Sequence, residues 1–129
     1  MVNFVDANDP ELEFSFYWYK AEFFSIYDAD TIRFNIDLGF GVWLNEQPVR
    51  LYGIDAFELR GPERPDGIEA KEFAEDLLNS AGAIRLLTYR DRKGKYGRWL
   101  AQVFLWIGDR WLNLNEALVL QEHAEIADY

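Results

Sequence analysis

Over residues 32–38 the chain alternates without a break: Ile32, Phe34, Ile36 and Leu38 are apolar, and Arg33, Asn35 and Asp37 between them are polar. Successive strand side chains point to opposite faces, so this stretch predicts a strand with one face in a core and the other in water. A half-wetted strand is not stable alone and needs a sheet around it. The flanking sequence supplies one. The aromatic run over residues 14–27 predicts a first strand, closed by the turn-type residues Asp28, Ala29, Asp30 and Thr31. Gly39 and Gly41 flank Phe40, where the second strand must bend or bulge. Residues 45–48 predict a turn into a third strand over 49–54. Residues 83–89 and 98–107 predict a fourth and a fifth, with Gly108-Asp109 forming a tight hairpin into Trp111 and Leu112.

Two helices fit between and after these strands. Residues 60–67 carry Pro and Gly and predict a loop, with Asp66 and Glu69 spaced as a capping box. Ala70, Phe73, Ala74, Leu77 and Ala81 then follow helical spacing until Gly82. Asn113 and Glu116 repeat the cap spacing ahead of Leu114, Ala117 and Leu118. The pattern predicts an α+β β-barrel with helices. Its closest architecture is the five-stranded oligonucleotide-binding (OB) fold, with a helix after strand 3 and a short C-terminal helix. At 129 residues the chain suits one core, with residues 1–13 an acidic tail and residues 14–129 a single domain.

Composition narrows the chemistry. Cysteine is absent, which removes disulfides, thiolate metal sites and a cysteine nucleophile. No apolar run reaches the length of a membrane span, and the first ten residues lack the basic and apolar regions of a secretory signal, so a soluble monomer with no membrane partner is expected. The net charge of −10 repels a polyanion at long range. Residues 85–98 are the exception: Arg85, Arg90, Arg92, Lys93, Lys95 and Arg98 stand against Asp91 alone. Screening acts over about 8–10 Å, so a local basic patch can hold phosphate on an acidic protein.

The chemistry concentrates in residues 50–58, where Arg50, Asp55 and Glu58 lie close together. Strict alternation sends Arg50 and Asp55 to opposite faces, so a shared site requires a bulge or turn near Gly53. Asp28 and Asp30, two apart, point the same way in extended backbone. Their mutual repulsion suits them to a hard cation, with Asp55 as third carboxylate and a backbone carbonyl and waters completing a calcium shell. An ordinary Asp-rich turn is the plain alternative. Arg50 and Arg98 can each donate two hydrogen bonds to a phosphate. Glu58 is the carboxylate left over once Asp55 serves a metal, and is the candidate base. Lys95 and Tyr96 combine a cation with a ring able to stack on a nucleotide, though a solvated hairpin explains them equally. His123 reads as a packing or surface residue.

Taken together, Asp28-Ala29-Asp30-Thr31, residues 49–58, Lys95-Tyr96-Gly97-Arg98 and the weaker stretch at residues 114–119 resemble the staphylococcal nuclease family over about residues 16–124. The resemblance implies an OB barrel and calcium-dependent cleavage of DNA and RNA, preferably single-stranded, with low sequence specificity and 3′-phosphate products. It implies Asp30, Asp55 and the Ala56 carbonyl as Ca2+ ligands, Asp28 near the ion through water, and Glu58 positioning the attacking water. Arg50 and Arg98 would clamp the phosphate, and Lys95 and Tyr96 would contact a neighbouring one. Two residues depart from the family pattern: Ala29 replaces the usual Gly and Phe57 the usual Pro. They motivate the alternative of a catalytically impaired module that binds single-stranded nucleic acid or a protein partner.

Overall fold

The computed structural model describes residues 2–9, 17–59, 61–93 and 98–127. Five strands make the barrel: β1 (Trp18–Asp28), β2 (Thr31–Gly39), β3 (Val42–Leu51), β5 (Ile84–Lys93) and β6 (Trp99–Ile107). They run in the order β3-β2-β1-β5-β6, antiparallel throughout, and a parallel pairing of β3 with β6 at Val49, Arg50 and Leu51 closes the circle. β7 (Arg110–Asn113) extends the sheet beyond β6. β4 (Ile54–Ala56) and β8 (Ala124–Ile126) form a separate two-stranded sheet. Helix α1 (Arg64–Ser80) follows the third barrel strand, and the short α2 (Leu114–Leu120) comes near the end. This is the OB-like barrel that the alternating pattern predicts.

Three of the four apolar residues of the β2 pattern enter the core, and Leu38 stays 41% exposed. Ile32, Phe34 and Ile36 are buried and meet Val49, Leu51, Leu86, Val103 and Leu105 from the other barrel strands. Helix α1 buries Ala70, Ala74 and Leu78, and α2 buries Leu114 and Leu118. Full burial of each Leu, Ile or Phe contributes about 1.5–3 kcal/mol, so the inward row of β2 fixes the strand's register.

Local elements differ from expectation at several places. The β2–β3 reversal lies at Gly39, Phe40 and Gly41, all at positive φ (84°, 56° and 77°), so β3 starts at Val42. Residues 45–48 are therefore no turn. Glu46, at φ 55°, forms a bulge whose N–H donates to the Asn35 side chain at 2.8 Å and whose carbonyl accepts from Arg33 at 2.9 Å. The expected loop over residues 60–67 already contains a 3-10 turn (Gly61–Glu63) and the start of α1. Pro65 presets the first helical turn, and the Glu63 cap makes no side-chain hydrogen bond, so Asp66 and Glu69 are helical residues rather than a capping box. At α2 the expected cap forms: Asn113 accepts from the Glu116 N–H at 3.1 Å. The fourth barrel strand runs on to Lys93 rather than ending near residue 89. Finally, residues 2–9, read as the start of a tail, are held to the barrel. The Val5 N–H donates to buried Gln102 at 2.9 Å, and Asn8 exchanges hydrogen bonds with the Trp111 backbone at 2.6 and 2.8 Å. Every buried side-chain polar atom among the described residues has a partner.

Candidate active site

Three connections bring the acidic and basic residues to one end of the barrel. The turn from β1 to β2 holds Asp30 beside Asp28 at the end of β1, the turn from β3 to β4 joins Arg50 near the end of β3 to Asp55 in β4, and Arg98 immediately precedes β6. Gly53 stands at φ 78° in the second of these, so the chain turns where strict alternation would have separated Arg50 from Asp55. The turn is fixed from behind by Asn115. This fully buried side chain donates to the carbonyls of Tyr52 (2.9 Å) and Ala101 (3.1 Å) and accepts from the Val103 N–H (3.0 Å).

Asp30, only 8% exposed, is the hub. One carboxylate oxygen accepts from the Ala56 N–H at 2.8 Å and lies 3.0 Å from the Arg50 guanidinium. The other accepts from the Thr31 hydroxyl at 3.4 Å, and the Asp30 carbonyl accepts from the Leu51 N–H at 2.9 Å. Arg50 reaches Asp55 with its second terminal nitrogen, so one guanidinium spans both carboxylates. Asp28 accepts from the Asp30 N–H at 3.2 Å. Burial, with the hydrogen bond and charge of Asp30 added, pushes the Asp28 carboxyl up to about 7 from its ordinary 3.8. Arg98 donates to the Thr31 hydroxyl at 2.8 Å.

Asp28, Asp30, Arg50, Asp55 and Arg98 line a cavity of about 440 Å³ with Ala56, Phe57, Glu58, Glu63 and Glu125. Thus seven of the residues singled out from the sequence, Asp28, Asp30, Arg50, Asp55, Ala56, Glu58 and Arg98, share one pocket. Lys95 and Tyr96 lie outside the described residues. His123 stacks on Phe73 with ring centroids 4.7 Å apart, a packing role. Phe57 lines the cavity, and its N–H donates to the His123 carbonyl at 3.4 Å, a bond no proline could make. Ala29 is fully buried and is not among the residues at positive φ, so its Cβ strains nothing there.

Four contributors were missed in the sequence. Glu63 accepts from the Glu58 N–H at 3.1 Å, and Thr31 anchors Arg98. Asn115 holds the Gly53 turn, and Gly67 of α1 packs against the Glu58 backbone, where a Cβ would lie 2.2 Å from the Glu58 carbonyl oxygen. Glu63 and Thr31 follow a charged loop and an Asp-rich turn and stand out only once the fold joins them. Asn115 and Gly67 carry a signal that could have been read, since an Asn on an apolar helix face and a Gly inside a helix each ask for a reason.

The cavity sets the carboxylates of Asp28, Asp30, Asp55, Glu58, Glu63 and Glu125 against two guanidiniums. Oxygen donors in such excess suit a hard divalent cation. As the side chains stand, Arg50 lies between Asp30 and Asp55, and among the described residues no three acidic or imidazole groups converge to cage a metal.

A small OB-like barrel with an acidic, arginine-bearing pocket at one end defines a class of nuclease-like modules. The chain belongs to the staphylococcal nuclease homologue family, whose sequence pattern matches residues 48–129. It is similar to a thermonuclease of Staphylococcus intermedius, 34% identical over 95 residues that cover 71% of this chain and 51% of the relative. It is also similar to an uncharacterized protein of Methanocaldococcus jannaschii, MJ1439, 26% identical over 128 residues that cover 84% of this chain and 59% of the relative. The chain thus spans little more than half the length of these two relatives. No helix among the described residues is long and apolar enough to cross a membrane.

Proposed function

We propose that this module is a calcium-dependent phosphodiesterase that cleaves DNA and RNA, preferably single-stranded, with little sequence preference and leaves 3′-phosphate ends. The observation that carries the reading is the pocket itself, in which both arginines and the Asp28, Asp30, Asp55 and Glu58 carboxylates meet around one cavity. In this reading Asp30, Asp55 and the Ala56 carbonyl would hold Ca2+, with Asp28 beside them. The ion would supply charge that offsets the non-bridging phosphate oxygens.

The chain's own groups do the rest. Arg50 and Arg98 grip the phosphate and bind the five-coordinate transition state more strongly than the ground state. Arg50, now shared between Asp30 and Asp55, exchanges a carboxylate for a phosphate oxygen. Glu58, exposed at the cavity wall and fixed through its N–H by Glu63, takes a proton from the attacking water. A bond forms from water oxygen to phosphorus, and the bond from phosphorus to the 5′ oxygen breaks. The phosphate stays on the 3′ side, and the departing oxygen takes a proton from solvent and ends as a 5′-hydroxyl. Lys95 and Tyr96 contact a neighbouring phosphate.

Glu58→Gln and Arg98→Ala should each lower turnover on the order of a hundredfold or more with the fold unchanged by circular dichroism. Full activity in both would refute the assignment. A second reading has its own support: Arg50 sits between the two carboxylates, and no cage converges among the described residues. It makes the domain a non-catalytic module that binds single-stranded nucleic acid or a protein partner. That module would bind single strands, more weakly as salt rises, and hydrolyse nothing.

A further inference from the structure

The β2–β3 hairpin carries apolar surface that the proposed nuclease chemistry does not use. Residues 38–45, Leu-Gly-Phe-Gly-Val-Trp-Leu-Asn, contain no charge in a chain that is 28% charged. Their side chains stand in water: Phe40 is fully exposed at the tip, and Leu38, Val42, Trp43 and Leu44 are between 39% and 50% exposed. Shared between the two faces of the hairpin, they present on the order of 500 Å² of apolar surface. The backbone is open as well. β3 pairs with β2 on one side, but on its other side it meets β6 only at Val49, Arg50 and Leu51. Among the described residues no strand pairs with that edge from Val42 to Gln47. An apolar strand edge with no strand beside it is a template for another strand.

We infer that this arm is the contact through which two copies of the chain associate, β3 against β3 in antiparallel register about a two-fold axis. Three observations favour a second copy as the occupant. Antiparallel pairing of one edge with itself is self-complementary, as a two-fold interface requires. Two such patches together cover about 1,000 Å², the area at which specific interfaces begin. Two bodies of charge −10 repel, and the charge-free segment is where they can approach. A bilayer fits less well, because Asp37 and Glu46 flank the segment and leave it without the basic collar that draws a protein to anionic lipid. The arm also borders an apolar pocket of about 160 Å³, lined by Leu38 and Leu44 with Tyr17, Tyr19 and Trp99, which a partner's Phe40 would cover. On this inference a reversible dimer would replace the monomer expected from the sequence. The inference stands whether or not the chain cuts nucleic acid.

The absence of cysteine makes the test direct, since a single introduced thiol can pair only with its counterpart in another copy. Val42→Cys, Trp43→Cys, Leu44→Cys and Asn45→Cys would be oxidised in turn, with Asn79→Cys on the exposed end of α1 as control. Disulfide dimers should form far above the control, with a yield that peaks at the residue nearest the two-fold axis and falls away on both sides. Sedimentation equilibrium at about 1–100 μM should show a monomer–dimer equilibrium. It should tighten between about 50 and 500 mM NaCl, because screening removes like-charge repulsion. Val42→Lys or Trp43→Lys should weaken it on the order of a hundredfold with an unchanged circular dichroism spectrum. A monomer at every concentration, cross-linking no better than the control, or a dimer indifferent to both lysines would overturn the inference. So would a monomer that instead floats with neutral or anionic phospholipid vesicles.

Discussion

Gly67→Ala should damage the proposed catalysis far more than the fold. Gly67 lies in the first turns of α1 and is buried against the segment that carries Glu58. An added Cβ would stand 2.2 Å from the Glu58 carbonyl oxygen, 2.6 Å from its carbonyl carbon and 3.0 Å from the Phe57 carbonyl oxygen, where ordinary contact begins at 3.4 Å. These are backbone atoms with no rotamer to change, so helix and loop must part by about 1 Å. Overpacking costs about 1–3 kcal/mol, and replacing Gly by Ala inside a helix recovers about 1 kcal/mol. The net loss of about 0–2 kcal/mol lowers Tm by no more than about 10 °C. The same displacement at a catalytic carboxylate costs on the order of a hundredfold in rate. The assay is kcat on denatured DNA beside a thermal melt, with Gly82→Ala as control, since its Cβ meets nothing nearer than a Trp106 side-chain carbon at 3.4 Å. A folded Gly67→Ala protein with kcat within about threefold of the parent would refute the argument that this glycine positions Glu58.

Other perturbations separate fold from site. Asn115→Ala orphans the Tyr52 and Ala101 carbonyls and the Val103 N–H, and should cost about 2–5 kcal/mol in urea unfolding. Ala29→Gly should leave turnover unchanged and cost about 1 kcal/mol of stability, because Ala29 is buried without positive φ; a gain in turnover would show that its Cβ does strain the turn. Burial pushes the Tyr89 hydroxyl up to about 12 from 10.0. A raised folded value means that its contribution is intact below pH 10 and is lost as pH climbs towards 12, where the unfolded chain ionises first. Melts across that range should show the loss, and Tyr89→Phe should abolish this component of it.

The barrel was legible because its strands announce themselves by alternation, and the inward row of Ile32, Phe34 and Ile36 is buried as the pattern requires. Boundaries were less so. The turn expected at residues 45–48 rested on Asn and Pro composition, while the reversal was made by the left-handed backbone at Gly39, Phe40 and Gly41. Arg50 and Asp55 were legible as partners because Gly53 supplies the conformation that joins them. What bears on the site from a distance was not. Glu63 reaches Glu58 only through the 3-10 turn, and Asn115 reaches Tyr52 across 63 residues of sequence. The exposed arm was hidden for a related reason, since alternation shows which side chains share a face and not whether that face finds a cover.

Release of acid-soluble nucleotide from denatured DNA, in calcium and again in excess chelator, tests the central claim most directly. The account predicts hydrolysis with calcium, its loss on chelation and its return when calcium is restored, with 3′-phosphate ends on the products. Hydrolysis that survives chelation, or none from a folded sample in calcium, would contradict it.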